Sequence, residues 1–110
     1  MQVQAITKNV RMSAQKMREM TRQIQGLSAL QAEAVLKFVS RKSARVVAKT
    51  LHSAIANAEN NNGVKPEALK VKEAVAQTAM SFKRFTPKAR GSAGPIIKRS
   101  CHVKIVVSDE

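Results

Sequence analysis

The chain has no tryptophan, no tyrosine, three phenylalanines and a single cysteine, Cys101, and it sets only seven acidic residues against twenty lysines and arginines. Each shortage excludes something. One cysteine cannot close an internal disulfide, and with no CxxC or HxxxH set in the sequence no metal site is expected either. The scarcity of aromatics argues against the amphipathic helix by which basic proteins lie on anionic membranes. No apolar run approaches the roughly 20 residues needed to cross a bilayer; the longest, near Val103 to Val107, is interrupted by Lys104. The start, Met1-Gln2-Val3-Gln4-Ala5-Ile6, lacks the basic flank and long apolar run of a signal peptide. A soluble protein of a reducing compartment, without membrane partner or cofactor, is expected.

Acids are missing from one place above all. Ala74 to Ser108 contains none, yet it carries Lys83, Arg84, Lys88, Arg90, Lys98, Arg99 and Lys104 around a centre punctuated by Pro87, Gly91, Gly94 and Pro95. Such a segment repels itself and calls for a polyanion. The charge is also spread along the chain, for a formal total of +13, which points to nucleic acid before other partners.

With 110 residues one domain is expected, about 90 of them building a core once the basic segment is set aside. Gln2 to Val10 is free of breakers and reads as an edge strand, although its alternation is poor. Ser13 is placed to cap a helix in which Met17, Met20 and Ile24 recur at helical spacing before Gly26. Ser28 and Gln31 have capping-box spacing, followed by Ala32, Val35, Leu36 and Val39. A third helix, capped by Ser40 or Ser43, carries the stripe Ala44, Val47, Ala48, Leu51, Ile55 and Ala58 and stops at Asn60-Asn61-Asn62-Gly63. Its many alanines suit close approach by another backbone.

Beyond Pro66, Leu69, Val71, Glu73, Val75 and Gln77 alternate with Lys70, Lys72, Ala74, Ala76 and Thr78; Cys101, Val103, Ile105 and Val107 alternate with His102, Lys104, Val106 and Ser108. These two strands pair through the basic segment, which becomes a hairpin arm at about 80–100 whose tip extends roughly 30 Å. The expected fold class is α+β: a small three-stranded antiparallel sheet packed on three helices, with a long protruding basic β-hairpin.

Bland readings compete with sharper ones. Cys101 and His102 point to opposite faces of a strand, so Cys101 belongs in the core and His102 at the surface. Ser100, His102 and Asp109 have the residue types of a triad, but groups along one strand do not converge. Gly91-Ser92-Ala93-Gly94 matches the bare string of a KH loop without the two helices that loop joins. No catalytic residue is expected. The pair Phe82 and Phe85, interleaved with Lys83 and Arg84, suits either stacking on unpaired bases or packing at the arm's base. A row of Arg41, Lys42, Arg45 and Lys49 with acids only at Glu33 and Glu59, and a second set of Lys8, Arg11, Lys16, Arg18 and Arg22 with Glu19 alone, favour phosphate contact.

Ser13-Ala14-Gln15-Lys16, the run Ser53 to Asn60 and, above all, Lys83-Arg84-Phe85-Thr86-Pro87-Lys88-Ala89-Arg90-Gly91 followed by Ile97-Lys98-Arg99-Ser100-Cys101-His102-Val103 resemble the L twenty-two family of bacterial large-subunit ribosomal proteins, over essentially the whole chain. The resemblance implies a cytoplasmic ribosomal component. Its partners would be large-subunit rRNA, neighbouring large-subunit proteins and the nascent polypeptide, with a role in subunit assembly and no small-molecule substrate. The rRNA-binding residues would be Lys83, Arg84, Lys88, Arg90, Lys98, Arg99, Lys104, His102, Lys8, Arg11, Lys16, Arg18, Arg41, Lys42, Arg45 and Lys49. The hairpin tip, Pro87, Lys88, Ala89, Arg90, Gly91, Ser92, Ala93 and Gly94, would line the peptide exit tunnel near the macrolide region. Family members are often basic at the positions of Ser92 and Pro95, so this tip carries less charge. A DNA-bending architectural protein with basic β-arms is the alternative.

Overall fold

The computed structural model describes residues 2–87 and 93–109, with 82–87 and 93–96 as backbone only. Strand β1 (Gln2–Val10) leads to helices α1 (Ala14–Ile24), α2 (Ala29–Phe38) and α3 (Lys42–Asn62). A 3-10 turn at Pro66–Ala68 then opens β2 (Lys70–Thr78), which is followed by β3 (Phe82–Pro87), β4 (Ala93–Lys98) and β5 (Cys101–Ser108).

Local chemistry sets the helix ends. Ser13 and Ser28, both in extended conformation, accept hydrogen bonds from the backbone N–H groups of Lys16 and Gln31, three residues on. Past α1, Gly26 takes a φ of +88°, and its N–H reaches Val71 O at 2.9 Å. Gly63, φ +65°, closes α3 by returning its N–H to the last turn. The start of α3 differs from expectation: Arg41 is its N-cap and no side chain caps it. Ser40 lies one residue too early, and Ser43 is already inside the first turn, where it is buried.

The main sheet has the order β1-β5-β2, antiparallel throughout. Central β5 buries Cys101, Val103, Ile105 and Val107 completely on the side facing the helices. On that side α3 lies over β1 and β5, α1 lies over β2, and α2 packs mainly on α3. Met17, Met20, Ile24, Val47 and Leu51 fill the layer between, all at most 1% exposed. Ala54 and Ala58 are fully buried, which lets α3 sit close to the sheet. The narrower contact of α2 buries Ala29, Ala32 and Leu36 and leaves Val35 and Val39 half-buried.

Two bulges reset the alternation. In β2, Val71 faces Val107 and Glu73 faces Val106, so Lys72 is an extra residue. The inward residues are therefore Leu69 and Val71, then Ala74 and Ala76; the alternation expected from the sequence, which groups Glu73, Val75 and Gln77 with Leu69 and Val71, is broken at the bulge. In β1, Lys8 and Asn9 both oppose His102. Asn9 adopts a φ of +58° and donates its N–H to His102 Nδ1 at 3.1 Å. A neutral His102 ring then carries its proton on Nε2.

The outer edge of β2 is not left bare. The α1–α2 loop is stitched to it by Val71 N–H to Leu27 O and Ala29 N–H to Leu69 O, and Arg18 Nε donates to Ala76 O. Covered edges resist pairing with other chains. Inside, the buried Thr50 hydroxyl donates to Val46 O, so Thr7 Oγ1, 2.6 Å away, is the donor that ties β1 to α3.

Beyond the body, β3 and β4 form a second, two-stranded sheet, in register from Phe82 opposite Lys98 to Pro87 opposite Ala93. It grows from the β2–β5 pair, whose last pairing is Thr78 with Cys101, through an Ala79 N–H to Ser100 O bond. The molecule measures 62 × 25 × 17 Å.

Candidate nucleic-acid interface

At the root of the arm the N-terminus of α1, the start of α3 and the chain entering β5 come together. Arg11 Nη1 donates to Arg99 O at 2.8 Å, and Lys42 Nζ approaches Arg11 O at 3.4 Å. Arg11, Lys16, Lys42 and Arg99 line one open hollow here. Arg18 and Arg99 line a second hollow that shares Ser13 and Ile97 with the first. Neither lining contains a carboxylate. Arg11, Lys42 and Arg18 are thus oriented by single hydrogen bonds from their charged groups to backbone carbonyls, and with Lys16 and Arg99 they form a concave positive surface, open to water, that suits a phosphate chain.

A third hollow continues past Met12 and Lys16 to Arg41 and Lys42, and here Glu19 enters. Arg41 Nη1 sits 2.7 Å from Glu19 Oε2, with both side chains more than half exposed. The sequence places Glu19 far from the α3 row; the fold brings it to the end of that row. Such an exposed pair contributes at most about 1 kcal/mol, so Arg41 can be drawn away by a stronger anion. Farther along α3, Arg45 and Lys49 are exposed, and Lys37, Lys49 and His52 line a hollow with Glu33, whose carboxylate is 4.0 Å from His52 Nδ1.

Residues Lys104 and His102 belong to a different surface. Both are half-buried on the face of the sheet turned away from the helices, where Lys104 shares a shallow hollow with Glu73 and Gln4. Lys8 is exposed at the β1 bulge beside His102. The fold thus divides the expected cations into a tract around the arm's root and along α3, and a smaller set on the open sheet face.

Lys98 is exposed and joins Arg99 in carrying charge into the arm. Lys88, Ala89, Arg90, Gly91 and Ser92 lie outside the described residues, as do the side chains of Phe82, Lys83, Arg84, Phe85, Pro87 and Ala93, while Gly94 is described as backbone.

Cys101 is fully buried, and burial pushes its thiol up from the ordinary value of 9.0, the opposite of what a reactive cysteine needs. Among the described residues no group of three or more His, Cys, Asp or Glu is placed to hold a metal ion. Sequence reasoning did not find the meeting of Arg11, Lys16, Lys42 and Arg99, which are separated along the chain and share no pattern within it. It also passed over Phe38, whose signal was legible: this aromatic lies off the helical stripe of Ala32, Val35, Leu36 and Val39.

The sequence that carries this cationic body surface and basic two-stranded arm is similar to that of a known protein. The chain is 51% identical over 109 residues to the large ribosomal subunit protein uL22 of Opitutus terrae, covering 99% of this chain and 96% of that protein. The family model described as Ribosomal protein L22p/L17e matches residues 5–108, and with that span the chain belongs to this family of ribosomal proteins.

Proposed function

We propose that the protein is an rRNA clamp of the large ribosomal subunit, in which the body grips RNA through its cationic tract and the arm threads between rRNA segments to reach the nascent-peptide exit tunnel. Its family makes it a structural constituent of the large subunit, a cytoplasmic particle in bacteria, in company with rRNA and other ribosomal proteins. The DNA-bending alternative finds no support in that kinship.

One observation carries the clamp reading. A pair of strands that, among the described residues, pair only with each other projects from the body, within a stretch, Ala74 to Ser108, that has seven cations and no acid. Isolated hairpins are marginally stable in water, and this one gains its partner when phosphates surround it. The candidate anchors are Lys83, Arg84, Lys88, Arg90, Lys98 and Arg99 in the arm, joined by Arg11, Lys16, Arg18, Arg41, Lys42, Arg45 and Lys49 on the body. Lys8, His102 and Lys104 contact RNA from the open sheet face. Residues 87–94 form the tunnel-facing tip, where the nascent chain passes. The clamp also supports assembly, by holding rRNA segments together from two directions.

Gradient sedimentation of a native lysate tests this, with the protein followed by immunoblot. Co-migration with the large subunit that survives a high-salt wash is expected, whereas a free small species or migration with nucleoid DNA would overturn the proposal.

A further inference from the structure

Phe38 belongs to none of the surfaces described so far. It is the last residue of α2 and is 90% exposed, the most exposed large apolar side chain among the described residues. The inward residues of α2 are Ala29, Ala32 and Leu36, so the ring plays no part in the core. Its surroundings are cationic. From Ala34 to Ala58 the sequence has no acid. Lys37, just before Phe38, lines the hollow with Lys49, His52 and Glu33, while Arg41, three residues after it, lines the hollow with Lys16, Lys42 and Glu19, so that in each hollow the cations outnumber a single carboxylate. Phe38 therefore lies in the chain between Lys37 and Arg41, which line two separate hollows of the cationic tract.

An apolar pocket on a protein neighbour would need more than one ring to hold. The other large exposed apolar residue of α2, Leu30, lies eight residues back, about 12 Å along the axis at the rise of an α-helix. A protein surface seated on Phe38 would meet Lys37 and Arg41 before it met Leu30. RNA offers both matching parts at once: phosphates for the cations and the face of an unpaired base for the ring.

We propose that Phe38 is a base-stacking residue, taking one unpaired base of large-subunit rRNA on its ring while Lys37 and Arg41 hold the flanking phosphates. This rests on the RNA-binding reading above and adds to it a contact with a base.

Because the chain has no tryptophan, F38W supplies a single fluorescent reporter at the position in question, and an exposed site tolerates substitution without unfolding. The experiment titrates F38W with transcribed large-subunit rRNA while filter binding follows the parent, F38W, F38A and F38L. Stacking predicts strong quenching of F38W at parental affinity. It also predicts weakening on the order of ten-fold for both F38A and F38L, with the salt slope unchanged because no charge is altered. Parental affinity with unquenched emission removes the stacking contact and leaves the RNA clamp standing. Absence of binding by every form removes both. A blue shift only when large-subunit proteins are added, with F38L equal to the parent, assigns Phe38 to a protein pocket and overturns the proposal.

Discussion

In the body, the helix-facing side of β5 is buried under α1 and α3, and Met17, Leu51, Val103 and Ile105 are fully enclosed; in the arm, among the described residues, β3 and β4 pair only with each other. The body places most of its lysines and arginines on an outer surface around a closed apolar layer. The arm carries its charge in an acid-free stretch. Stability follows from this difference. The body has what it needs to fold from its own residues, since burial of apolar side chains is the dominant favourable contribution, whereas in the clamp proposal the arm's geometry is completed by a polyanion. Under the clamp proposal affinity divides the other way: body cations add to it, but the arm's direction and reach decide where the protein sits.

If that division is real, substitutions in the body should change stability and leave RNA affinity per folded molecule unaltered. Leu51→Ala removes a fully buried side chain of α3 and should cost about 2–5 kcal/mol, read as a lower urea midpoint. A shift under about 1 kcal/mol would mean that the α3–sheet layer is not the core described. A smaller effect is expected at the β1 bulge. Asn9 holds a φ of +58°, so Asn9→Val should destabilise by about 1–2 kcal/mol while Asn9→Gly stays near neutral. Equal effects of the two would show that the backbone there relaxes. The smallest effect belongs to Cys101. Burial raises its folded pKa above 9.0, so its contribution is complete below that value and is lost as pH rises through the folded pKa, because the unfolded thiol ionises first. Stability of the parent relative to Cys101→Ala should therefore narrow above about pH 9; a constant difference would place the thiol in contact with water.

Much of this was legible in the sequence because the signals are local. Ser13, Ser28 and Gly63 act where their spacing to the apolar stripes puts them, and the alternation of β5 needs no tertiary information. What counting could not show was an extra residue. A period of two carried past Lys72 assigns Glu73, Val75 and Gln77 to the wrong face, and the poor alternation of Gln2 to Val10 is the trace of the bulge at Lys8 and Asn9. Both bulges are visible only in the pairing with β5. The cations were legible as types but not as a surface: Arg11 meets Arg99 across the sheet's end, and Glu19 meets Arg41 between helices. For the root of the arm, sequence supplied the charges and packing supplied the concavity.

The most direct test of the body–arm division is to excise the arm and compare salt dependence. Thr78 already pairs with Cys101, and Ala79 N–H bonds Ser100 O, so removing Phe82 to Lys98 and joining Ser81 to Arg99 through Asn-Gly leaves β2 and β5 linked by a short turn. This variant should melt within a few degrees of the parent. With Lys83, Arg84, Lys88, Arg90 and Lys98 gone, its plot of log affinity for large-subunit rRNA against log salt should be shallower by up to about four. A parental slope in a folded variant would contradict the account, because the arm would then contribute no phosphate contact; collapse of the fold would contradict it equally, because the body would depend on the arm.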